Sequence, residues 1–278
     1  MKKDFKAKIA LCLSPEKSNF SPFLFIGDLY KGIYTAADLG YDGVEVSIRD
    51  SKEMDQEKLV KTMDSLNMKV YSIATGQSFF TDGYSFSSED KDKRTNAISR
   101  MKGHIDFAQI LNCSLVVGGI LGNVKVKYGT GTDIEKRIID SLNQCLQYAK
   151  EKNVVILFEP INLYMTYFIC TLDEGADFIR SFGYDNMEMI PDTHHMNIEE
   201  KSMTESLAKH IDLIHYIHFS DSNRQAPGFG NIDYQSIVNT LKQKKFDGVI
   251  SFEILPLPDD MAAAKQAIRY TKSLLNSN

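Results

Sequence analysis

Eight short apolar runs, each followed by a longer segment of helical period, limit the folds open to this chain more than any other feature of it. The runs cover residues 8–13, 43–47, 69–73, 114–118, 154–159, 188–192, 213–219 and 249–253. Between them the helices are readable. Ile98, Met101, Ile105 and Ala108 recur at steps of three and four, as do Ile134, Ile138, Leu142, Leu146 and Ala149. Thr132 with Glu135 and Thr171 with Glu174 have the spacing of capping boxes, and Gly40 and Gly183 stand where helices should stop. No Pro/Gly-rich linker interrupts the series, so residues 1–278 read as one α/β domain. An open doubly wound sheet would carry G-x-G-x-x-G after its first strand. Gly118-Gly119 and Gly129-x-Gly131 lack that spacing and read as loop glycines. Eight strands are what a closed (β/α)8 barrel requires.

Composition narrows the partners. A formal net charge of −5 without a basic run argues against a nucleic-acid surface, which needs cations to meet phosphates. The start Met1-Lys2-Lys3 is followed by an apolar run, residues 9–13, too short for a signal peptide, and no stretch is long enough for a membrane span. Cys12, Cys113, Cys145 and Cys170 lie far apart and read as reduced thiols. The expectation is a soluble cytoplasmic protein that binds neither membrane nor nucleic acid.

In parallel barrels the chemistry gathers at the carboxyl ends of the strands. Strands five to eight run out onto Glu159, Asp192, His218 and Glu253. One polar residue at a strand end means little, but four in succession at one level predict a site. Three carboxylates and an imidazole suit a hard-to-borderline divalent ion, Mn²⁺ foremost and Mg²⁺ or Co²⁺ after it. Such an ion relieves the repulsion among the carboxylates and can polarise the carbonyl of a chelated sugar, which lowers the cost of an enediolate.

The runs Phe158-Glu159-Pro160, Pro191-Asp192-Thr193-His194-His195, His218-Phe219-Ser220-Asp221-Ser222, Pro227-Gly228-Phe229-Gly230 and Ser251-Phe252-Glu253 resemble the xylose-isomerase-like TIM barrels, and within them the ketose 3-epimerase branch. A closer likeness, to 5-keto-L-gluconate epimerases, rests on residues 27–32, 75–77, 192–200, 221–224 and 255–258. The resemblance implies a metal-dependent epimerase of a keto-sugar or keto-sugar acid, with a small sugar or sugar acid as substrate. Ketose/aldose isomerisation and a non-catalytic sugar-binding barrel are the alternatives. The resemblance further implies that Glu159 and Glu253 are metal ligands that also exchange protons, one on each face of a substrate carbon. His195, Arg224, Glu45 and Gln77 would hold substrate, and a homo-oligomer, dimer or tetramer, is left open. The chain departs from the family after Glu159, where Asn-Arg-aromatic-Glu is usual and Asn162-Leu163-Tyr164-Met165 stands instead.

Other residues have plainer readings. Glu45 serves equally well as a barrel-mouth ion-pair partner. His215, out of phase with His218, should face the helices. His104 and His210 read as helix-surface residues. Gly228–Gly230 is the only weak candidate for a phosphate-binding turn.

Overall fold

The computed structural model describes residues 6–17 and 22–277. Eight parallel strands form one sheet: β1 (Lys8–Leu13), β2 (Gly43–Ser47), β3 (Lys69–Ala74), β4 (Ser114–Val117), β5 (Ile156–Phe158), β6 (Met187–Met189), β7 (Tyr216–His218) and β8 (Val249–Phe252). The order β6-β5-β4-β3-β2-β1-β8-β7 nearly closes on itself. Two parallel bridges, Met189 to Ile214 and Asp192 to His218, span the remaining β6–β7 seam. The expected (β/α)8 barrel is therefore what the chain forms.

Because successive strand residues face opposite ways, the barrel has two apolar shells. The outer one lies between strands and helices and joins Leu11, Val44, Phe158 and Ile217 to helical residues such as Ile33, Leu142 and Ile237. A smaller inner one, of Ala74, Val116, Leu157, Ile190 and Tyr216, fills part of the interior. Polar side chains occupy the rest: Ser72 Oγ donates to Glu45 at 2.6 Å, and Cys12 Sγ lies 3.0 Å from Ser251 Oγ. This buried polar layer sits beneath the site.

Strands five to seven are shorter than their apolar runs. Residues 211–213 form a 3₁₀ turn rather than the start of β7, and β6 ends at Met189. The apolar character continues through Ile190 because that side chain packs inside the barrel; Pro191, which follows, has no N–H for a ladder. Glu159, Asp192 and Glu253 therefore stand just beyond their strands, at the barrel mouth.

The helix signals mostly hold. Gly40 and Gly183 are left-handed caps, and Thr171 with Glu174 makes a complete capping box. The second box is only half made. Thr132 accepts from the Glu135 N–H, but the Glu135 carboxylate takes the N–H groups of Gly129 and Gly131 at 3.0 and 2.8 Å. Among the described residues those loop donors have no other partner, and they take the carboxylate.

Two histidines are corrections. His104 is fully buried, because helix Lys91–Leu111 is packed against both the barrel and helix Asp133–Glu151, and burial pushes its pKa down to about 4. His210 is buried too, with Nε2 2.5 Å from Asp173. His215 lies away from the site as expected, but at the exposed lower rim, 3.2 Å from Glu188.

Candidate active site

Asp192 shows how the site is built from local structure. It caps helix Thr193–Glu199: its Oδ1 accepts from the N–H groups of His194 and His195 at 2.7 and 3.3 Å. That pins the carboxylate, and Oδ2 is left facing the barrel axis, where Arg224 donates to it at 2.6 Å. His218 ends β7 with its ring inside the barrel. Its Nε2 meets both oxygens of Glu45, at 3.1 and 3.0 Å. With the Nε2 proton held there, Nδ1 points up into the mouth. It stands 3.6 Å from Glu159 Oε1, 3.7 Å from Asp192 Oδ2 and 3.6 Å from Glu253 Oε2.

These four groups each present one atom, all within 4.8 Å of one another. The separations are too long for hydrogen bonds. They are close to the roughly 3–3.5 Å expected between ligands that share an ion at about 2.1 Å. Two of the atoms, Glu159 Oε1 and His218 Nδ1, are buried without any hydrogen-bond partner. Buried polar atoms are seldom left so. The donor set, the convergence and the two unpartnered atoms all fit a divalent cation.

His195 is placed by its neighbour. The Asn162 side-chain oxygen accepts from the Tyr164 N–H at 3.1 Å, so its amide nitrogen is the end that meets His195 Nδ1, at 2.7 Å. Nδ1 is then the acceptor, and the ring carries its proton on Nε2, which lies 4.0 Å from Glu159 Oε1 at the pocket wall.

Electrostatics follow from burial and the few cations. Burial pushes the Glu253 carboxyl up to about 8, against the pull of Arg224 and His218. Burial likewise raises Glu159. Burial would raise Asp192 as well, but Arg224 with the imidazoles of His195 and His218 outweighs it and holds that group well below the usual range. Burial lowers His195 to about 3, so its ring is neutral at physiological pH. Burial would also lower His218, but Glu45 beneath it carries the shift well upward.

The pocket is lined by Glu159, His195, His218, Arg224, Glu253 and Gln77, among others. Glu45 is not part of that lining. It lies one layer deeper, fully buried, and touches His218 rather than open space. Arg224 is at the pocket, but its guanidinium is committed to Asp192 and Glu253. Gln77 donates to Ser14 Oγ at 3.2 Å and accepts from Thr81 at 2.9 Å, so most of its capacity is used within the protein. The Gly228–Gly230 turn offers no phosphate cradle. Asp221 takes the N–H groups of Ser222 and Gly228, each at 2.8 Å, and of Ile232 at 3.2 Å.

Two contributors were not singled out from the sequence. One is Asn162, whose signal is its place three residues after Glu159. The other is Gly118, directly after β4. A Cβ there would stand 2.5 Å from Glu159 Oε2 and 3.0 Å from Ile161 Cδ1. Gly118→Ala should leave the fold intact but displace Glu159, lowering turnover about tenfold or more, since displacements on the order of 1 Å in an active site are costly. Parallel measurement of Tm and kcat checks this; unchanged kcat would show that Glu159 moves freely.

Residues 33–274 match the model of the xylose isomerase-like TIM barrel family. The chain belongs to that family. It is 25% identical over 234 residues to the D-psicose 3-epimerase of Enterocloster bolteae, covering 82% of this chain and 77% of that one. To the 3-dehydro-D-guloside 4-epimerase of Escherichia coli it is 24% identical over 236 residues, 82% and 87% of the two chains. Among solved structures, a D-allulose 3-epimerase from Methylomonas sp. superposes with a TM-score of 0.80 at 23% identity, covering 98% of this chain and all of that one. The relatives are epimerases, in agreement with the enzyme class expected from the sequence. Among the described residues no helix is long and apolar enough to cross a membrane.

Proposed function

We propose that this chain is a divalent-metal-dependent epimerase of an uncharged keto-sugar, with Glu159, Asp192, His218 and Glu253 as metal ligands and Glu159 and Glu253 as the proton-transferring pair. The observation that carries the reading is the convergence of four donors from successive strand ends, two of them buried and unpartnered. A bound cation would supply Lewis-acid stabilisation of the charge that develops on the substrate oxygens.

The rest is done by the chain's own groups. Epimerisation removes a proton from one face of a carbon beside the carbonyl and returns one to the other, which takes two positioned groups. Glu159 and Glu253 arrive from β5 and β8 and meet His218 from two directions, so a substrate carbon between them presents one face to each. Burial raises both carboxyls, which strengthens them as bases. His195, neutral with its proton on Nε2, can donate a hydrogen bond to a substrate oxygen. Arg224 holds Asp192 and Glu253 in place and limits their mutual repulsion.

An uncharged substrate is favoured over the keto-sugar acid suggested by the closer likeness. A substrate carboxylate needs a free cation. Among the described residues Arg224 is the only Lys or Arg lining the pocket, and it is already paired. The test is solvent deuterium exchange over a panel of ketohexoses, pentuloses and keto-gluconates with Mn²⁺ present. Label entering a carbon beside the carbonyl of an uncharged ketose, and slower entry into keto-gluconates, is the expected result. No exchange into any keto-sugar would reject the epimerase reading.

Metal binding should depend on pH in one direction. Glu253 must be deprotonated to act as a ligand, and burial holds it near 8 in the cation-free protein. Binding below that pH therefore expels a proton from Glu253, and His218, also shifted upward, must lose one to ligate through Nδ1, so affinity should rise with pH by at least about tenfold per unit between pH 6 and 8. Calorimetry in buffers of different ionisation heat checks the proton release. A flat profile would contradict the Glu253 assignment.

A further inference from the structure

The pocket does not end at the reacting groups. Past Met165, Phe80 and Glu159 it opens into a second compartment. The two are chemically unlike. Glu253, Arg224, His195 and His218 line only the first, whereas Glu159 borders both. In the second, among the described residues, Glu159 at the shared wall is the only ionisable acid or base of the carboxylate, imidazole or cationic kind, and Phe79, Leu121, Phe168 and Tyr164 are among the residues that line it. Its uncharged polar side chains are Asn123, Tyr164 and Thr166. Thr166 already donates to Val124 O at 3.2 Å, which leaves Asn123 and the Tyr164 hydroxyl at the outer rim. Met165, apolar where an acid was the expected residue, leaves Glu159 as the one ionisable side chain at the passage between the compartments.

From this we infer that the natural substrate is a keto-glycoside with an aromatic aglycone: the keto-sugar ring sits over Glu159 and Glu253, and the aglycone leaves on the Glu159 side to pack among Phe79, Leu121 and Tyr164. The inference rests on the epimerase reading above and adds the class of substrate. A second sugar ring would compete for the same space, and it is one of the alternatives that the aryl–methyl comparison tests. An aryl ring needs no hydrogen bonds and stacks on aromatic side chains.

The experiment compares a free ketohexose, a methyl keto-glucoside and a phenyl keto-glucoside by solvent deuterium exchange in the Mn²⁺-loaded enzyme. The phenyl glycoside should exceed the methyl glycoside in kcat/KM by about tenfold or more, the scale of discrimination available to an apolar pocket. Two variants outside the first compartment localise the preference. Tyr164 is 76% exposed, so Tyr164→Ala should fold normally and lose much of it. Asn123→Trp, also at an exposed position, should obstruct the compartment and abolish it while exchange on the free ketohexose persists. Equal kcat/KM for phenyl and methyl glycosides, or a preference that survives both variants, would overturn the inference while exchange on the free ketose left the epimerase reading standing. Absence of exchange on all three substrates would reject the epimerase reading itself.

Discussion

Glu253→Gln is expected to slow turnover by roughly 10²–10⁴-fold, the usual contribution of a positioned general acid or base. Glutamine keeps the shape of the side chain and an oxygen for the cation, but it cannot accept a proton. It can also still accept from Arg224, so the pairing that ties Glu253 to Arg224 and Asp192 survives in part. Substrate affinity should therefore change far less than kcat. Glu159→Gln should give a loss of similar size with a different isotopic signature. If the two carboxylates serve opposite faces of one carbon, each variant loses the base for one epimer only. Deuterium should still wash into the epimer whose own base remains, while net interconversion stops. The measurement is exchange from each epimer separately in both variants, with metal content quantified. Normal metal content together with near wild-type epimerisation in both would rule out the two-glutamate mechanism.

Removing the metal should abolish activity, and Mn²⁺, Co²⁺ or Mg²⁺ should restore it. The physical case lies in the charge balance of the cluster. Glu159, Asp192 and Glu253 are buried together, and the cations facing them are Arg224 and the His218 ring. Without an added cation the cluster stays neutral enough only by holding protons, which is why burial lifts Glu159 and Glu253. A protonated pair cannot abstract a proton from a weakly acidic carbon. Asp192→Asn should weaken metal binding most, because Arg224 keeps Asp192 ionised. Excess metal should then rescue part of its activity, whereas no amount of metal should rescue Glu253→Gln. Full activity in protein shown by elemental analysis to be metal-free would refute this account.

Much of the architecture is legible in the amino-acid sequence. The eight apolar runs recur as strands, and the period of Met101, Ile105 and Ala108 is that of a buried helix face. Both signals are local, since a side chain's facing follows from the pitch of its own element. The quartet Glu159, Asp192, His218 and Glu253 was legible for a related reason. In a parallel barrel all strand ends lie at one rim, so ends read one at a time along the chain meet in space.

What the chain alone could not decide depends on neighbours far away in sequence. Whether Glu45 faces substrate or supports a ligand turns on its pairing with His218, 173 residues on, which forms only once the barrel closes. His104 reads as a surface residue until two layers of structure cover its helix. Gly118 is indistinguishable from any loop glycine until Glu159 arrives beside it from the adjacent strand. The second compartment has no sequence motif, because its walls come from the loops after β3, β4 and β5. Residue identity and period set the elements and the chemistry available at their ends; the closure of the barrel, a property of packing at long range, settled which of those groups touch.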